Sequence, residues 1–169
     1  MAYFPLFINL EGKHVLVVGG GTVAARRVKT LLDFGCEIFV VSPEICEELR
    51  IHVEENGICW IREEYSGQMI VEKNEENCGN SNYANKTEPP VFVLAAAAEA
   101  VNHRVADDCK KYGIPVNDAS KKERCDFYFP GIAKKGELVA GVTASGSDHR
   151  LAAAFTAEIR ELMNSEGDR

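Results

Sequence analysis

The strongest constraint on the fold is a short apolar run that ends in three consecutive glycines. His14–Val18 is rich in β-branched residues, as in a strand buried on both faces of a parallel sheet. After Gly19-Gly20-Gly21, residues 22–34 carry apolar side chains at helical spacing and end at Gly35. A second apolar run follows at Glu37–Val41. The order strand, turn, helix, strand predicts one right-handed βαβ unit.

The glycine segment fits the pattern G-x-G-x-x-A through Gly19, Gly21 and Ala24. In dinucleotide-binding proteins the first glycine makes a tight turn, the second lets a diphosphate approach the backbone, and the third small residue packs the helix against the sheet. The helix N-terminus adds free N–H groups and a partial positive charge. Gly19, Gly21, Thr22 and Val23 are therefore candidate cofactor contacts. The alternative is a glycine-rich turn that serves packing alone.

The end of the second predicted strand is the place where the adenosine ribose of a dinucleotide is recognised. The chain has Ser42-Pro43-Glu44 there, and all three residues are candidate cofactor contacts. Glu44 is a displaced version of the acidic residue that hydrogen-bonds the ribose of NAD, and no arginine is adjacent. This favours NAD slightly as the cofactor, with NADP left open.

The rest of the chain continues the alternation of strands and helices. The pattern predicts a helix over 44–55, a strand over 58–61, a disordered polar insert over 66–90, a strand over 91–94, a helix over 98–112 and a strand over 113–117. Less regular apolar stretches at 126–129 and 138–143 indicate a small β-rich region, and residues 148–163 form a closing helix. The predicted fold class is α/β, a Rossmann-type doubly wound parallel sheet, with a division between 1–112 and 113–169 near Tyr112.

Composition and charge exclude several classes of protein. The chain has 169 residues and a formal net charge of −7, which argues against nonspecific binding of nucleic acid or anionic membranes. Residues 121–150 carry six Lys or Arg against four acids, so this part could face an anionic ligand or form a solvated surface. No cysteine spacing predicts a zinc site. No signal peptide or membrane span is recognisable, which predicts a cytoplasmic protein.

Seven segments together resemble one family, the bifunctional precorrin-2 dehydrogenase and sirohydrochlorin ferrochelatase family, which includes the N-terminal module of siroheme synthase. In order along the chain these segments are 4–10, 17–27, 40–43, 101–102, 114–117, 125–130 and 138–146. The resemblance implies an NAD-binding Rossmann domain over 1–112. It also implies a dimerisation and tetrapyrrole-binding region with a terminal helix over 113–169, where the family's helical tail is truncated. A homodimer is expected.

The resemblance also implies a reaction and a set of site residues. Precorrin-2 would transfer hydride to NAD and become sirohydrochlorin, and many members of the family then insert ferrous iron. The substrate is rich in carboxylates, which suits charge-assisted contacts from Lys or Arg. The additional cofactor candidates are Ala96 and Ala97. The substrate candidates are Asn117 and Ser145, to which the basic segment 121–150 adds Lys121, His149 and Arg150.

Three departures from the family pattern affect the candidate sites. Ser120 occupies the place of an aspartate that the family uses in both reactions, and Asp118 lies two residues earlier. Asp118 and Ser120 are therefore the catalytic candidates, with a turn-forming role for Asp118 as the alternative. Ala95-Ala96-Ala97-Ala98 lacks the family's side-chain donors. Asp148 and His149 are either a metal-ligand pair or a helix cap and an exposed neighbour.

Two other functions remain open alongside the dehydrogenase. The departures are also compatible with a degenerate family member that binds a tetrapyrrole or a nucleotide as a carrier or sensor without turnover. A regulatory Rossmann module gated by a nucleotide is the third possibility, although the C-terminal resemblance disfavours it.

Overall fold

The computed structural model describes residues 3–71 and 89–165 and divides into two compact units. We call Asn9–Phe127 the sheet unit. We call Met1–Ile8 together with Tyr128–Arg169 the hairpin unit. Within the described ranges, no helix combines the length and the apolar character that are needed to cross a bilayer.

The sheet unit is built on five parallel strands in the order β3-β2-β1-β4-β5. Its strands are β1 (His14–Val18), β2 (Glu37–Val41), β3 (Cys59–Ile61), β4 (Val93–Ala95) and β5 (Val116–Asp118). Its helices are α1 (Thr22–Leu31), α2 (Glu47–Asn56) and α3 (Glu99–Tyr112). This order confirms the predicted Rossmann-type sheet. The chain leaves β1 in one direction and returns to its other side at β4, so the two carboxyl ends border a switch-point crevice.

The core is formed by strands that are apolar on both faces. Val15, Val17 and Val40 have no exposed surface, and neither has Leu94 of β4. Helix α1 turns its small residues, Ala24 and Ala25, onto this sheet with no exposed surface. The continuous β-branched runs in the sequence therefore correspond to central strands, as parallel sheets covered by helices require.

The first residues of the predicted insert belong to the folded sheet unit. Gly67–Ile70 is a short 3-10 helix, and Ile70 belongs to the hydrophobic core. The hydroxyl of Tyr65 donates a hydrogen bond to Asp108 of α3 at 3.0 Å. The segment is polar in sequence and is therefore predicted as part of the insert. One buried isoleucine and one tertiary hydrogen bond anchor it, and neither produces a local sequence pattern. Residues 72–88 of the predicted disordered insert lie outside the described residues.

The compact units divide after Phe127, later in the chain than the boundary expected near Tyr112. The physical reason is that β5 pairs with β4 and therefore stays with the sheet. The segment after β5 stays there too, because Asp126 Oδ2 accepts a hydrogen bond from Val116 N at 2.9 Å. The expected β character of residues 126–129 is also corrected: bends and irregular backbone occupy these positions.

The hairpin unit contains two antiparallel strands and one long helix. They are β6 (Gly131–Lys135), β7 (Leu138–Val142) and α4 (His149–Ser165). Arg160 Nε donates to the carbonyl of Ile132 at 3.0 Å, and Lys135 Nζ donates to the carbonyl of Met163 near the end of α4. Gly131 lies so close to Thr156 that a Cβ there would collide with its hydroxyl. These contacts dock α4 onto the hairpin.

Helix α2 offers a matched pair for testing which of its faces contributes to the core. Leu49 has no exposed surface, whereas Ile51 is 44% exposed. Leu49→Ala should lower the free energy of unfolding by about 2–5 kcal/mol, because it removes buried methyl groups and leaves a cavity. Ile51→Ala should change it by less than about 0.5 kcal/mol. Urea unfolding followed by circular dichroism measures both, and equal losses would contradict an orientation of α2 that buries Leu49 and exposes Ile51.

Candidate functional site

The candidate site begins where β1 ends in the glycine turn. Gly19 N donates to Val41 O at 2.9 Å, and Ala96 N donates to Val18 O at 2.7 Å, which holds the turn between the ends of β2 and β4. Gly21 is the N-cap of α1, and no described side chain caps this helix. The first-turn N–H groups of α1 therefore lie at the carboxyl edge of the sheet without a protein acceptor from a capping side chain. Such an N-terminus suits a phosphate group.

Two of the three glycines are required by close packing of the backbone. Gly19 has a φ of 124°, and a Cβ there would lie 2.8 Å from Ala97 N. A Cβ on Gly20 would lie 2.8 Å from Ser42 Oγ and would collide with the carbonyl oxygen of Glu44. The glycine turn is thus enclosed by the loop after β2 on one side and by the loop after β4 on the other.

Gly21 differs from its neighbours because nothing lies within 4 Å of the position its Cβ would take. Its φ of −86° is accessible to any residue, so neither strain nor packing requires glycine at this position. Open space beside uncapped N–H groups is the geometry expected where a diphosphate approaches the backbone. The residues present therefore fit a dinucleotide.

The loop after β2 presents Ser42, Pro43 and Glu44 beside the glycine turn. Ser42 Oγ donates to Glu44 O at 2.7 Å, and the indole of Trp60 donates to Ser42 O at 2.9 Å. These bonds fix the backbone of the loop. Pro43 and Glu44 are exposed. The structure therefore places the glycine turn and the loop after β2 side by side, and seven cofactor candidates lie on these two segments: Gly19, Gly21, Thr22, Val23, Ser42, Pro43 and Glu44.

The catalytic candidates Asp118 and Ser120 lie together at the carboxyl end of β5. Ser120 Oγ lies 2.5 Å from Asp118 Oδ1, which also accepts from Ser120 N at 2.8 Å and from Lys121 N at 3.2 Å. Arg124 Nη1 lies 3.3 Å from Asp118 Oδ2. The Asp118 side chain has no exposed surface. The hydrogen bonds from Ser120 N and Lys121 N to the Asp118 side chain are those expected if Asp118 forms a turn, which is the alternative to a catalytic role.

The electrostatics of Asp118 favour the ionised carboxylate. Burial raises the pKa of Asp118, but hydrogen bonds from Ser120, Arg124 and Lys121 N lower it by more, so the pKa lies below its ordinary value. Arg27 also contributes an attractive positive charge, and burial lowers the pKa of Arg27 to about 10. A carboxylate that already accepts from several donors has little affinity for a further proton. Whether Asp118 and Ser120 act in catalysis stays a prediction.

Sequence reasoning missed Asn102 as a site residue. Asn102 lies in the buried stripe of α3 with Val105 and Cys109 and has no exposed surface. Its Oδ1 accepts from Ala97 N at 2.8 Å, and its Nδ2 donates to Ala97 O at 3.1 Å. An asparagine at helical spacing among apolar residues is the signal that could have identified it, because a buried amide needs specific partners.

The substrate candidates fall in different units. Asn117 and Lys121 belong to the sheet unit, whereas Ser145, His149 and Arg150 belong to the hairpin unit. Asn117 is buried and donates to Phe127 O at 2.7 Å, while Lys121, His149 and Arg150 are exposed. Asp148 Oδ1 accepts from Leu151 N at 2.9 Å, which is the helix-capping alternative. Within residues 3–71 and 89–165, no group of three or more His, Cys, Asp or Glu could hold a metal ion.

Comparison with known proteins places these features in a family. Residues 6–131 match the family described as "Putative NAD(P)-binding". The siroheme synthase of Neisseria meningitidis serogroup C (strain 053442) is 36% identical over 174 residues, which is 99% of this chain and 32% of that protein. The "Probable multifunctional siroheme biosynthesis protein HemA" of Ruminiclostridium josui is 38% identical over 162 residues, which is 94% of this chain and 28% of that protein. The chain therefore spans about a third of the length of these curated relatives.

A solved structure supports the fold independently. The protein titled "SirC, precorrin-2 dehydrogenase" superposes with a TM-score of 0.72 over 95% of this chain and 70% of that chain, at 20% sequence identity. At that identity the likeness concerns the fold. The match over residues 6–131 and the siroheme synthase relatives confirm the resemblance drawn from the motifs, and the chain belongs to the family described as "Putative NAD(P)-binding".

Proposed function

We propose that this chain is an NAD-dependent precorrin-2 dehydrogenase, which oxidises precorrin-2 to sirohydrochlorin. The observation that carries the proposal is the open approach to Gly21, beside the uncapped N-terminus of α1 and between two tightly packed loops. The names of the siroheme synthase and precorrin-2 dehydrogenase relatives supply the reaction. Insertion of ferrous iron stays a prediction from the resemblance alone, and a cytoplasmic location stays a prediction from the sequence pattern.

Each part of the crevice has a distinct task in this proposal. The N–H groups of Thr22 and Val23 donate to the diphosphate, and the backbone of Ala96 and Ala97 lines the other side of the glycine turn. NAD, when bound, supplies the hydride acceptor. The chain's contribution is to hold that acceptor against the substrate and to exclude water.

The loop after β2 favours NAD over NADP. Glu44 is exposed, and the first turn of α2 adds Glu47 and Glu48. A 2′-phosphate placed near these carboxylates would meet a negative field, whereas a ribose hydroxyl could donate a hydrogen bond to Glu44.

The chain's substrate is proposed to be an anionic tetrapyrrole. Lys121 in the sheet unit and Arg150 in the hairpin unit are exposed cations suited to its carboxylates. A carrier or sensor without turnover is the competing function, and the buried, fully engaged Asp118 is the observation that favours it. The turnover measurement below separates the two.

We also propose that the chain is a homodimer that assembles through the hairpin unit. On α4, Leu151, Phe155 and Leu162 are each at least half exposed, and their spacing places them on one face. Leu138 of β7 is 60% exposed. An apolar stripe of this extent is costly in water and is typical of an interface. A second copy of the same stripe is a self-complementary partner.

Anaerobic conversion of precorrin-2 with NAD tests the proposed reaction. Wild type should form NADH and sirohydrochlorin in equal amounts. Gly21→Ala should fold with wild-type stability because its Cβ meets open space, but should lower kcat/KM for NAD at least about tenfold by obstructing the diphosphate. Gly20→Ala is the control that should instead lower stability, since its Cβ collides with Glu44 O. Binding of both ligands without turnover by wild type would support the carrier function.

Cofactor choice should depend on Glu44. Glu44→Gln removes the charge while keeping a hydrogen-bonding side chain, so the ratio of NAD to NADP affinity should fall by about three- to tenfold, or roughly 1 kcal/mol. Titration calorimetry with both dinucleotides measures the ratio. Glu63→Gln, an exposed control beyond β3, should leave it unchanged. An unaltered ratio in Glu44→Gln would remove this residue from cofactor recognition.

The dimer should depend on the apolar stripe of α4. Phe155→Asp should convert a dimeric wild type to monomer because it places a charge at the centre of the stripe. Glu161→Ala, an exposed change on the same helix, should leave the dimer intact. Sedimentation velocity gives the mass of each. A monomeric wild type, or a dimeric Phe155→Asp, would contradict assembly through this face.

A further inference from the structure

The loop between β4 and α3 has no polar side chain with which to hold its own shape. It consists of Ala96, Ala97 and Ala98, and Ala98 is the N-cap of α3 without a side-chain capping bond. This loop nevertheless packs tightly, because a Cβ on Gly19 would lie 2.8 Å from Ala97 N. Something outside the loop must therefore hold the Ala97 peptide in place.

Asn102, in the first turns of α3, holds the Ala97 peptide in place. Its Oδ1 accepts from Ala97 N and its Nδ2 donates to Ala97 O, so one side chain binds both backbone polar groups of the same residue. The second hydrogen of its amide donates to Ser120 Oγ at 3.2 Å. Both amide hydrogens and the amide oxygen of a side chain with no exposed surface are thus engaged.

The direction of the bond between Ser120 and Asp118 follows from the charge on the carboxylate. An ionised carboxylate can only accept, so Ser120 Oγ donates to Asp118 Oδ1 at 2.5 Å and accepts from Asn102. Two oxygen atoms at this distance need a hydrogen between them, so the hydroxyl hydrogen points at the carboxylate. Donation therefore runs in one direction, from Asn102 through Ser120 to Asp118.

Asp118 is itself fixed from several sides. It accepts from Ser120 N and Lys121 N, and Arg124 approaches its other oxygen at 3.3 Å. Arg124 also lies 4.0 Å from Glu99 in the first turn of α3. The carboxylate is consequently a rigid end point, tied both to the loop after β5 and to the helix that carries Asn102.

We propose that Asn102, Ser120 and Asp118 are positioning residues, which together form a hydrogen-bonded relay that fixes the Ala97 peptide as one wall of the cofactor crevice. This inference rests on the proposed function, because that function supplies the dinucleotide that would bind against the Ala97 peptide. Asp118 acts through Ser120 and Asn102 on the backbone, and not as a general base. Ser120 is then suited to its position as a neutral residue that donates to one partner and accepts from the other.

The alternative role for Asp118 is that of a general base, which requires a different environment for its carboxylate. A base must have a free lone pair within reach of the substrate and a pKa near the working pH. Asp118 has a buried side chain, several donors already in place and a pKa below its ordinary value. The observed geometry therefore suits an anchor better than a base.

Two substitutions at the exposed Ser120 form a matched test. Ser120→Ala removes the relay hydroxyl, and Ser120→Thr retains it. Ser120→Ala should raise both the calorimetric Kd and the KM for NAD about tenfold, with kcat changed less than about threefold and its pH profile unaltered. Ser120→Thr should stay within about twofold of wild type in all of these quantities. Asp118→Asn should likewise raise the KM for NAD and preserve the shape of the pH profile.

A second measurement needs no cofactor and separates failure of the relay from failure of the proposed function. Amide hydrogen exchange at Ala97 in the free protein should accelerate about tenfold or more in Ser120→Ala relative to Ser120→Thr. Equal exchange in the two variants would overturn the relay whatever the protein binds. Loss of kcat with an unchanged Kd for NAD, or loss of one limb of the pH profile in Asp118→Asn, would restore the general base. Faster exchange with no NAD binding by wild type would retain the relay and reject the dinucleotide function.

Discussion

The close approach of three backbone segments at the carboxyl end of β1 is the constraint on which the rest of the site depends. Gly19 and Gly20 have no Cβ, and this allows the loops after β4 and β2 to pack directly against the turn. The same turn ends β1 and delivers the N-terminus of α1 to the edge of the sheet. A side chain at either position would force the loops apart and change the width of the crevice.

Rigidity of that crevice comes from polar groups that lie behind it. The alanine loop has no side-chain donors, so its shape is set by Asn102, which is in turn oriented by Ser120 and Asp118. Buried hydrogen-bonded networks of this kind are costly when they are incomplete and rigid when every member is satisfied. Under the proposed function, the chain contributes geometry to a hydride transfer, while the reactivity belongs to the cofactor and the substrate.

The central strands could be predicted closely because their pattern is local. The predicted bounds of β1 and β2 agree with the structure, since continuous β-branched runs between glycine and proline signals have few alternative conformations. The 3-10 helix at Gly67–Ile70 and the late division after Phe127 could not be predicted in the same way. Both depend on tertiary contacts, of Ile70 with the core and of Asp126 with Val116. In the candidate site, the glycines could be recognised from the sequence motif. The role of Asn102 could not, because it depends on a tertiary contact with the Ala97 peptide.

A crystal structure of the complex with NAD tests the central claim most directly. The account predicts that the diphosphate lies over Gly21 and accepts hydrogen bonds from the N–H groups of Thr22 and Val23 at about 2.7–3.2 Å. The Ala97 peptide should remain bound to Asn102 in that complex. A dinucleotide bound elsewhere on the protein, or an Ala97 peptide released from Asn102 when the cofactor is in place, would contradict the account.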